Sequence, residues 1–306
     1  MTRICPIRPA HFIAVLGGLN LGSDMTCIAP PIDDGMRQVS LRFAAAVGDE
    51  PAACGQIYAG LGTTAESAEL LDLRFYVSNI RLIRSDGQEV PLTLEQDGKW
   101  QVQDVALLDF ENGTGRCADT GTTDLNAAVH GTVPNGDYDG IVFDVAVPFE
   151  LNHDDLAASP SPLNVSAMFW AWAIGHEFIR VDLQTAGGLR WNMHLGSTMC
   201  ESGGPTDPPE SACARPNVPT IAMAPFDPDN DTIVFDVREL FASSDLTQDT
   251  ADTASGCQTF PDDANECTDL FPNLGLDFTS GTCVSGCEGQ TVFSVEHGGI
   301  TQGYCI

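Results

Sequence analysis

The chain has 306 residues, of which 43% are hydrophobic, so it is long enough to bury a substantial core and is globular rather than disordered. Asp and Glu outnumber Lys and Arg by 43 to 13, which gives a formal net charge of −30. A surface this acidic repels phosphate backbones and anionic lipid, so nucleic acid is not an expected partner. No run of eighteen apolar residues is available to span a membrane.

The first residues resemble a weak secretory signal. Arg3 and Arg8 precede a modestly apolar stretch over residues 12–21. Lipid attachment at Cys27 is an alternative, although the preceding Asp-Met-Thr fits such a site badly. We therefore expect residues 1–30 to be a leader or a flexible arm.

Most of the remaining chain is typical of β-strands. The candidate segments are short, rich in β-branched and aromatic residues, and separated by turn dipeptides such as Asn-Gly and Asp-Gly. They lie at 38–48, 73–83, 138–149, 177–185, 231–240 and 290–297. Two stretches, 64–72 and 238–246, favour short helices. The pattern predicts an all-β fold, a β-sandwich with Greek-key connections and long disulfide-closed loops.

We expect residues 31–306 to form one domain. From about residue 245 onward the chain is polar and rich in cysteine, and it has too few apolar residues for a core of its own. The stretch 245–306 is therefore interpreted as a cysteine-rich extension of the same domain.

Eleven cysteines indicate disulfides formed in an oxidising compartment, because their spacing is not that of paired zinc knuckles. Spacing alone does not determine connectivity. The expected bonds are Cys54–Cys117, Cys200–Cys213 and Cys257–Cys267. Cys283, Cys287 and Cys305 leave one thiol over, for which Cys27 is a candidate partner.

Two of the four tryptophans, Trp170 and Trp172, stand one residue apart in the segment "MFWAWAIGHEF". If residues 168–174 form a strand, both indoles lie on one face together with Met168. From the spacing alone, a buried aromatic stripe is the favoured interpretation. The alternative is chemistry carried out on an indole.

His153 and His194 each end a strand-like run and enter a polar loop, where a site can open to solvent. Met168 and Met193 lie near them in the sequence. With the cysteines in disulfides, imidazole and thioether ligands remain for a soft metal, and that combination suits copper. A weaker metal pattern, Asp227, Asp229 and Asp231 at alternate positions, resembles the start of a calcium loop but lacks the glycine and glutamate of an EF-hand. An acidic turn is the favoured interpretation of that stretch.

Several segments together resemble the MbnP-like proteins, also called metallo-mystery-pair proteins, which carry a WxW motif and a four-cysteine motif. The resemblance covers about residues 38–297. Its most specific segments are "VPNGDYDGIVFDVAVPFELNHDD", "PSPLNVSAMFWAWAIGHEFIRVDL", "HLGSTMC" and "GCQTFPDDANECTDLFPNLGLDF".

The resemblance implies an exported bacterial protein that binds copper and is paired with a MauG-like di-haem protein of the cytochrome c peroxidase type. In such pairs the di-haem protein oxidises a tryptophan of its partner to kynurenine. The WxW motif corresponds to residues 170–172, the family's "LNH" to 151–153 and its "HLGST" to 194–198. The chain departs from the family at His176, where relatives commonly have tyrosine, and at Trp191, where we expect phenylalanine.

The leading hypothesis is therefore a non-enzymatic Cu(I)-binding protein of the periplasm or outer surface, whose Trp170 or Trp172 is the substrate of a di-haem partner. The alternative is a secreted β-sandwich binding or adhesion module, stabilised by calcium and disulfides, in which the tryptophans are core residues. A hydrolase is disfavoured because the sequence has no nucleophile motif such as GxSxG.

Overall fold

The computed structural model describes residues 35–119, 121–171 and 173–298. The expected leader, Cys27, Cys305 and Trp172 lie outside the described residues. The described chain forms strands β1 Met36–Val47, β2 Glu50–Pro51, β3 Ile57–Leu61, β4 Glu66–Arg84, β5 Glu89–Pro91, β6 Thr93–Leu94, β7 Gln101–Val102, β8 Val105–Asp109, β9 Ala128–Pro134, β10 Tyr138–Asp144, β11 Phe169–Ala171, β12 Gly175–His176, β13 Ile179–Thr185, β14 Arg190–Leu195, β15 Thr220–Met223, β16 Thr232–Asp236, β17 Gly256–Cys257 and β18 Phe293–Glu296. The helices are single turns: α1 Phe149–Asn152, α2 Val237–Leu240 and α3 Ala264–Cys267, with 3₁₀ turns at Gly115–Asp119, Ser166–Met168, Pro261–Asp263, Phe271–Leu274 and Ser285–Cys287.

The strands form two large sheets and one small hairpin. The first sheet has the order β18-β16-β1-β9-β6, with β2 beside β1. The second has the order β15-β10-β4-β13-β14-β17, with β3, β5 and β8 also paired to β4 and β7 to β8. The hairpin pairs β11 with β12. This architecture confirms the predicted all-β sandwich.

Aromatic side chains from both sheets meet in the core. Phe43, Phe235 and Phe293 come from the first sheet, and Phe75 and Phe143 come from the second. Their ring centroids lie 5.0–6.3 Å apart across Phe43–Phe75, Phe43–Phe143, Phe75–Phe235 and Phe143–Phe293. All five side chains are buried. Burial of their apolar surface holds the two layers together.

The long strand β4 is the main departure from the predicted elements. The helix predicted over 64–72 is wrong, because most of this stretch belongs to Glu66–Arg84. Its residues are good helix formers, but they pair with β3 on one side and with β13 on the other, as in the pairs Tyr58 with Ala68 and Leu183 with Leu70. Tertiary pairing therefore overrides a weak local propensity.

The other predicted helix is shortened, and the WxW segment is only partly extended. Within 238–246 the structure has one turn, α2, whose cap Asp236 accepts a hydrogen bond from the Arg238 amide. The predicted strand over 168–174 is likewise shorter, because Met168 ends a 3₁₀ turn and only Phe169–Ala171 is a described strand. Met168 therefore does not continue the strand that carries Trp170.

Four disulfide bonds form among the described residues. Three are the expected pairs Cys54–Cys117, Cys200–Cys213 and Cys257–Cys267. The fourth joins Cys283 to Cys287. No helix in the described ranges is both long and apolar enough to cross a membrane. The disulfides are consistent with a secreted or periplasmic protein.

The cysteine-rich stretch after residue 245 shares the core of the sheets. Its buried apolar residues belong to the same cluster as the strand residues; they include Leu246, Leu270, Phe271, Leu274 and Phe293. Two disulfides tie this stretch together, so few apolar residues suffice to hold it in place.

The disulfides that close the longest and the shortest loop, Cys54–Cys117 and Cys283–Cys287, lead to a stability prediction. We expect the double substitution Cys54→Ala with Cys117→Ala to lower the free energy of unfolding by about 4 kcal/mol, and Cys283→Ala with Cys287→Ala by about 2 kcal/mol. The sequence separations are 63 and 4 residues, and a longer loop loses more chain entropy on closure. Urea unfolding of both variants is the measurement. Equal losses would contradict the loop-length argument.

Candidate metal centre

One face of the second sheet carries a stripe of charged side chains across three neighbouring strands. Each strand contributes two polar residues at alternate positions: Asp72 and Arg74 from β4, Arg180 and Asp182 from β13, and Asn192 and His194 from β14. The strand register places Arg180 beside Arg74 and His194, and Asp182 beside Asp72 and Asn192. Residues two apart on a strand share a face, so all six side chains lie together.

Asp182 is the centre of this stripe and is fully buried. Its Oδ1 lies 2.6 Å from Nε2 of His194. Its Oδ2 accepts hydrogen bonds from Arg180 at 2.9 Å and from Arg190 at 2.7 Å. Arg180 also contacts Asp72 through its Nε at 3.0 Å, so the network extends from β14 to β4.

These contacts keep Asp182 ionised. Burial by itself raises the pKa of Asp182, but the hydrogen bond and charge of His194, the charge of Arg180 and the hydrogen bond from Arg190 together hold that pKa well below its usual range. An ionised carboxylate only accepts hydrogen bonds, so Nε2 of His194 must be the donor in this contact.

Acids outnumber arginines around this centre. Burial raises the pKa of Asp109 to about 8 against the opposing charge of Arg74, so its carboxyl group is mostly protonated at neutral pH. Burial also raises the pKa of Glu177, against the charges of His194 and Arg180. The described network therefore favours an additional positive charge, either a proton or a bound cation.

One ring nitrogen of His194 makes no hydrogen bond to the described residues. Nδ1 is buried and has no hydrogen-bond partner among the described residues, with Oε1 of Glu177 3.5 Å away. In the neutral ring, donation from Nε2 to Asp182 leaves the lone pair on Nδ1. A carboxylate that fixes the tautomer of a metal-binding histidine is a common second-shell arrangement. The donor chemistry of His194 therefore fits a metal ligand.

His153 lies at the end of α1 and is buried. Its Nε2 is 3.2 Å from Nδ2 of Asn152 and 3.8 Å from Sγ of Cys213. Sγ of Cys200 also belongs to this group of three donors. Because the two sulfurs are joined in a disulfide, they cannot act as thiolate ligands in this state. The imidazole is the only strong metal ligand that this group offers.

The hairpin β11–β12 contacts the chain close to both His153 and His194. On one side, Oδ1 of Asn152 accepts a hydrogen bond from the His176 amide at 2.8 Å, and a Cβ at Gly175 would lie 2.5 Å from the Asn152 side chain. On the other side, a Cβ at Gly196 would lie 2.8 Å from the His176 carbonyl oxygen. The hairpin therefore touches the residue before His153 and the residue two positions after His194.

Trp170 packs directly against Gly196. A Cβ at Gly196 would lie only 2.5 Å from the indole ring, so glycine is required there for close packing. The indole also packs against Phe260, with ring centroids 5.3 Å apart. Trp170 is only half-buried.

Neither methionine lies on the same strand face as His194. Met193 precedes His194 on β14, so its side chain points to the opposite face and is buried in the hydrophobic core. Met168 is also fully buried in that core. The alternation of the strand thus directs the Met193 thioether away from the charged stripe, and Met168 belongs to the hydrophobic core.

The carboxylates of the acidic loop at residues 227–231 form hydrogen bonds and ion pairs with other groups of the protein. The Asp227 carboxylate accepts from the Asp229 amide and from the Asn230 side chain, and Asp229 pairs with Arg37 at 2.8 Å. Asp231 accepts from the Asp227 amide and lies 3.0 Å from His297. Within the described residues these carboxylates do not converge on one point as metal ligands. The loop is an acidic turn.

The family model MbnP matches residues 36–259. The chain belongs to the MbnP family. A solved structure, MbnP from Methylosinus trichosporium, is 29% identical in sequence and superposes with a TM-score of 0.72, covering 86% of this chain and 99% of that one. No curated protein matches the chain. Membership of the MbnP family confirms the resemblance found in the sequence, and it supports a copper-related protein of a binding or substrate type.

Some residues of the candidate centre were not recognised from the sequence. Asp182 and Glu177 were missed because acids are abundant in this chain and none is diagnostic alone. The available signal was the pair of polar residues at alternate positions in three otherwise apolar strands, "LLDLRFY", "FIRVDL" and "WNMHL". A buried strand face with charges at period two requires partner charges on neighbouring strands.

The central role of Asp182 leads to a stability prediction. We expect Asp182→Asn to lower the free energy of unfolding by about 3–5 kcal/mol, because it leaves buried cations without their partner. The exposed partner of Arg37 is the control, and Asp229→Asn should cost about 0–1 kcal/mol. Chemical denaturation at neutral pH measures both.

The same pair of variants tests the pH dependence. The folded-state pKa of Asp182 lies below the usual 3.8, so its stabilisation is present above that pH and is lost as the pH falls below it. As the pH falls below about 4, the free energy of unfolding of Asp182→Asn should therefore decrease less than that of the parent protein. An identical acid profile for both proteins would argue against an ionised Asp182 as the centre of the network.

Proposed function

We propose that the protein is an exported Cu(I)-binding protein, not itself an enzyme, in which a tryptophan of the WxW motif is oxidised to kynurenine by a MauG-like di-haem partner. The observation that carries this proposal is the environment of the His194 ring. Asp182 holds its Nε2, its buried Nδ1 has no hydrogen-bond partner among the described residues, and Trp170 packs two residues further along the chain.

His194 and His153 are the proposed metal ligands. Both imidazoles are buried, and both lie beside the hairpin that carries the WxW motif. A neutral imidazole suits copper, and a monovalent copper ion would offset the excess of carboxylates near His194. When bound, copper supplies a redox-active soft cation; the protein supplies a dry, tautomer-fixed imidazole for it.

Trp170 is the favoured site of oxidation within the motif. Its half-buried indole can lose an electron to a high-valent haem docked outside, while its buried edge packs on Gly196 and Phe260. An intact indole is a poor ligand, since its N–H only donates. Ring opening produces an aniline nitrogen and a ketone, which are able to accept hydrogen bonds or face a metal. Trp172 is the alternative site.

The copper proposal is tested with histidine variants. We expect His153→Ala and His194→Ala each to abolish tight Cu(I) binding in competition with a Cu(I) chelator. His297→Ala is the matched control, because that imidazole lies against Asp231 in the acidic turn. Affinity of the parent protein should fall as the pH is lowered through the histidine range, since protons compete for the ligand nitrogen. Unchanged Cu(I) affinity in both variants would place the copper site elsewhere.

The oxidation proposal is tested by peptide mass spectrometry after co-expression with the cognate di-haem protein. With peroxide, the peptide spanning residues 168–180 should contain one tryptophan that has gained one oxygen and lost one carbon. Trp170→Phe should remove this product if Trp170 is the site. Trp100 is the matched control, because it is also half-buried but stacks on Lys99 in a separate turn.

Two outcomes would contradict the oxidation proposal. One is that Trp170 and Trp172 both remain intact in the presence of the partner and peroxide. The other is that the same product forms when the chain is expressed alone, which would show that the di-haem protein is not needed.

A further inference from the structure

A polar cavity of about 510 Å³ lies away from the metal centre. Its walls come from the loop at residues 243–250, from the turn α3 and from Trp191 of β14. Trp191 and His194 are three positions apart on β14, so their side chains point to opposite faces of the strand. The cavity is therefore distinct from the candidate metal centre.

Two residues that line this cavity, Glu266 and Ser244, each have a buried polar atom without a hydrogen-bond partner among the described residues. Glu266 is 8% exposed, and Ser244 is 3% exposed. Oε1 of Glu266 accepts hydrogen bonds from the amide and the hydroxyl of Thr250, at 2.7 and 2.6 Å, which holds the carboxylate in place. Oε2 of Glu266 and Oγ of Ser244 have no hydrogen-bond partner in the part of the chain that the structure describes. Leaving such groups buried and unpaired is costly, so a ligand or water is expected to complete them.

The charge of the cavity walls is strongly negative. Asp245, Asp249, Glu266 and Asp269 line it, and none of the eleven described lining residues is basic. Asp245 and Asp249 are held in position through one oxygen each, by the Thr247 amide at 3.0 Å and by the Gly256 amide at 2.9 Å. Fixed carboxylates in a concave site concentrate cations.

The geometry points to a small organic ammonium ion as the ligand of this cavity. Its N–H groups would donate to Oε2 of Glu266 and to Oγ of Ser244, and the Trp191 indole in the wall would contact its apolar carbons. A bare divalent cation fits less well. No three Asp or Glu side chains among the described residues of this cavity bring carboxylate oxygens within 4.8 Å of one another, and the volume lies in the range of small-molecule pockets.

The test is calorimetric titration of the full-length protein with 1,4-diaminobutane, a linear diamine. Work at about 0.15 M salt, where the Debye length is about 8 Å, suppresses diffuse binding to the acidic surface. We expect saturable one-to-one binding that Glu266→Gln and Ser244→Ala each weaken by about tenfold or more. Asp262→Asn is the matched control, because it removes a neighbouring exposed charge outside the cavity and should leave the affinity unchanged. 1,4-Butanediol, which has the same length without the charge, should not bind.

Three results would overturn this assignment. The first is that Ca²⁺ binds in a Glu266-dependent manner and the diamine does not, which would make the cavity an inorganic cation site. The second is that neither binds, which would leave the cavity to water. The third is diamine binding that is the same in the parent protein, Ser244→Ala and Asp262→Asn, which would indicate the acidic surface as a whole. Ser244→Ala keeps the test decisive if Glu266→Gln does not fold, and circular dichroism checks the folding of each variant.

Discussion

The contact between Asp182 and His194 is the constraint on which the rest of the polar centre depends. One buried carboxylate satisfies an imidazole and two guanidinium groups, and through Arg180 it joins β13 to Asp72 on β4. Buried ion pairs contribute little net stability, because the desolvation of the charges offsets their attraction. Their effect here is on geometry. They hold the His194 ring in one orientation and one tautomer, so that its second nitrogen is directed away from Asp182.

Close packing around the hairpin links the position of Trp170 to the chain segments beside His153 and His194. Gly175 allows the side chain of Asn152 to approach, and Gly196 allows the indole to rest on the backbone after His194. Neither position has room for a Cβ. A chemical change in the indole that altered its shape would therefore be felt on the strand that carries His194. This gives a physical link between oxidation of the ring and the properties of a metal bound nearby.

The two faces of β14 present different chemistry for cations. The face with His194 is dry, nitrogen-based and adjacent to ion pairs, which suits a soft metal. The cavity beside Trp191 is lined by four carboxylates and by neutral hydroxyl and amide groups, which suits an ammonium group. Some of the many Asp and Glu side chains therefore lie in distinct local clusters, and others lie on the surface.

The sequence by itself determined the features that depend on chain neighbours. Period-two patterns identified most of the strands, and the cysteine-rich loops predicted three disulfides that the structure contains. The WxW, "LNH" and "HLGST" motifs identified the MbnP family. Only the tertiary structure decided which partners those residues have. Pairing with β3 and β13 made residues 66–72 a strand, and the alternation of β14 directed Met193 away from His194. The tertiary structure also buried one polar atom each of Glu266 and Ser244 without a hydrogen-bond partner among the described residues. The physical reason is that alternation and turns are local properties of the backbone. Strand register, burial and hydrogen-bond satisfaction instead depend on residues far apart in the chain, which no local pattern records.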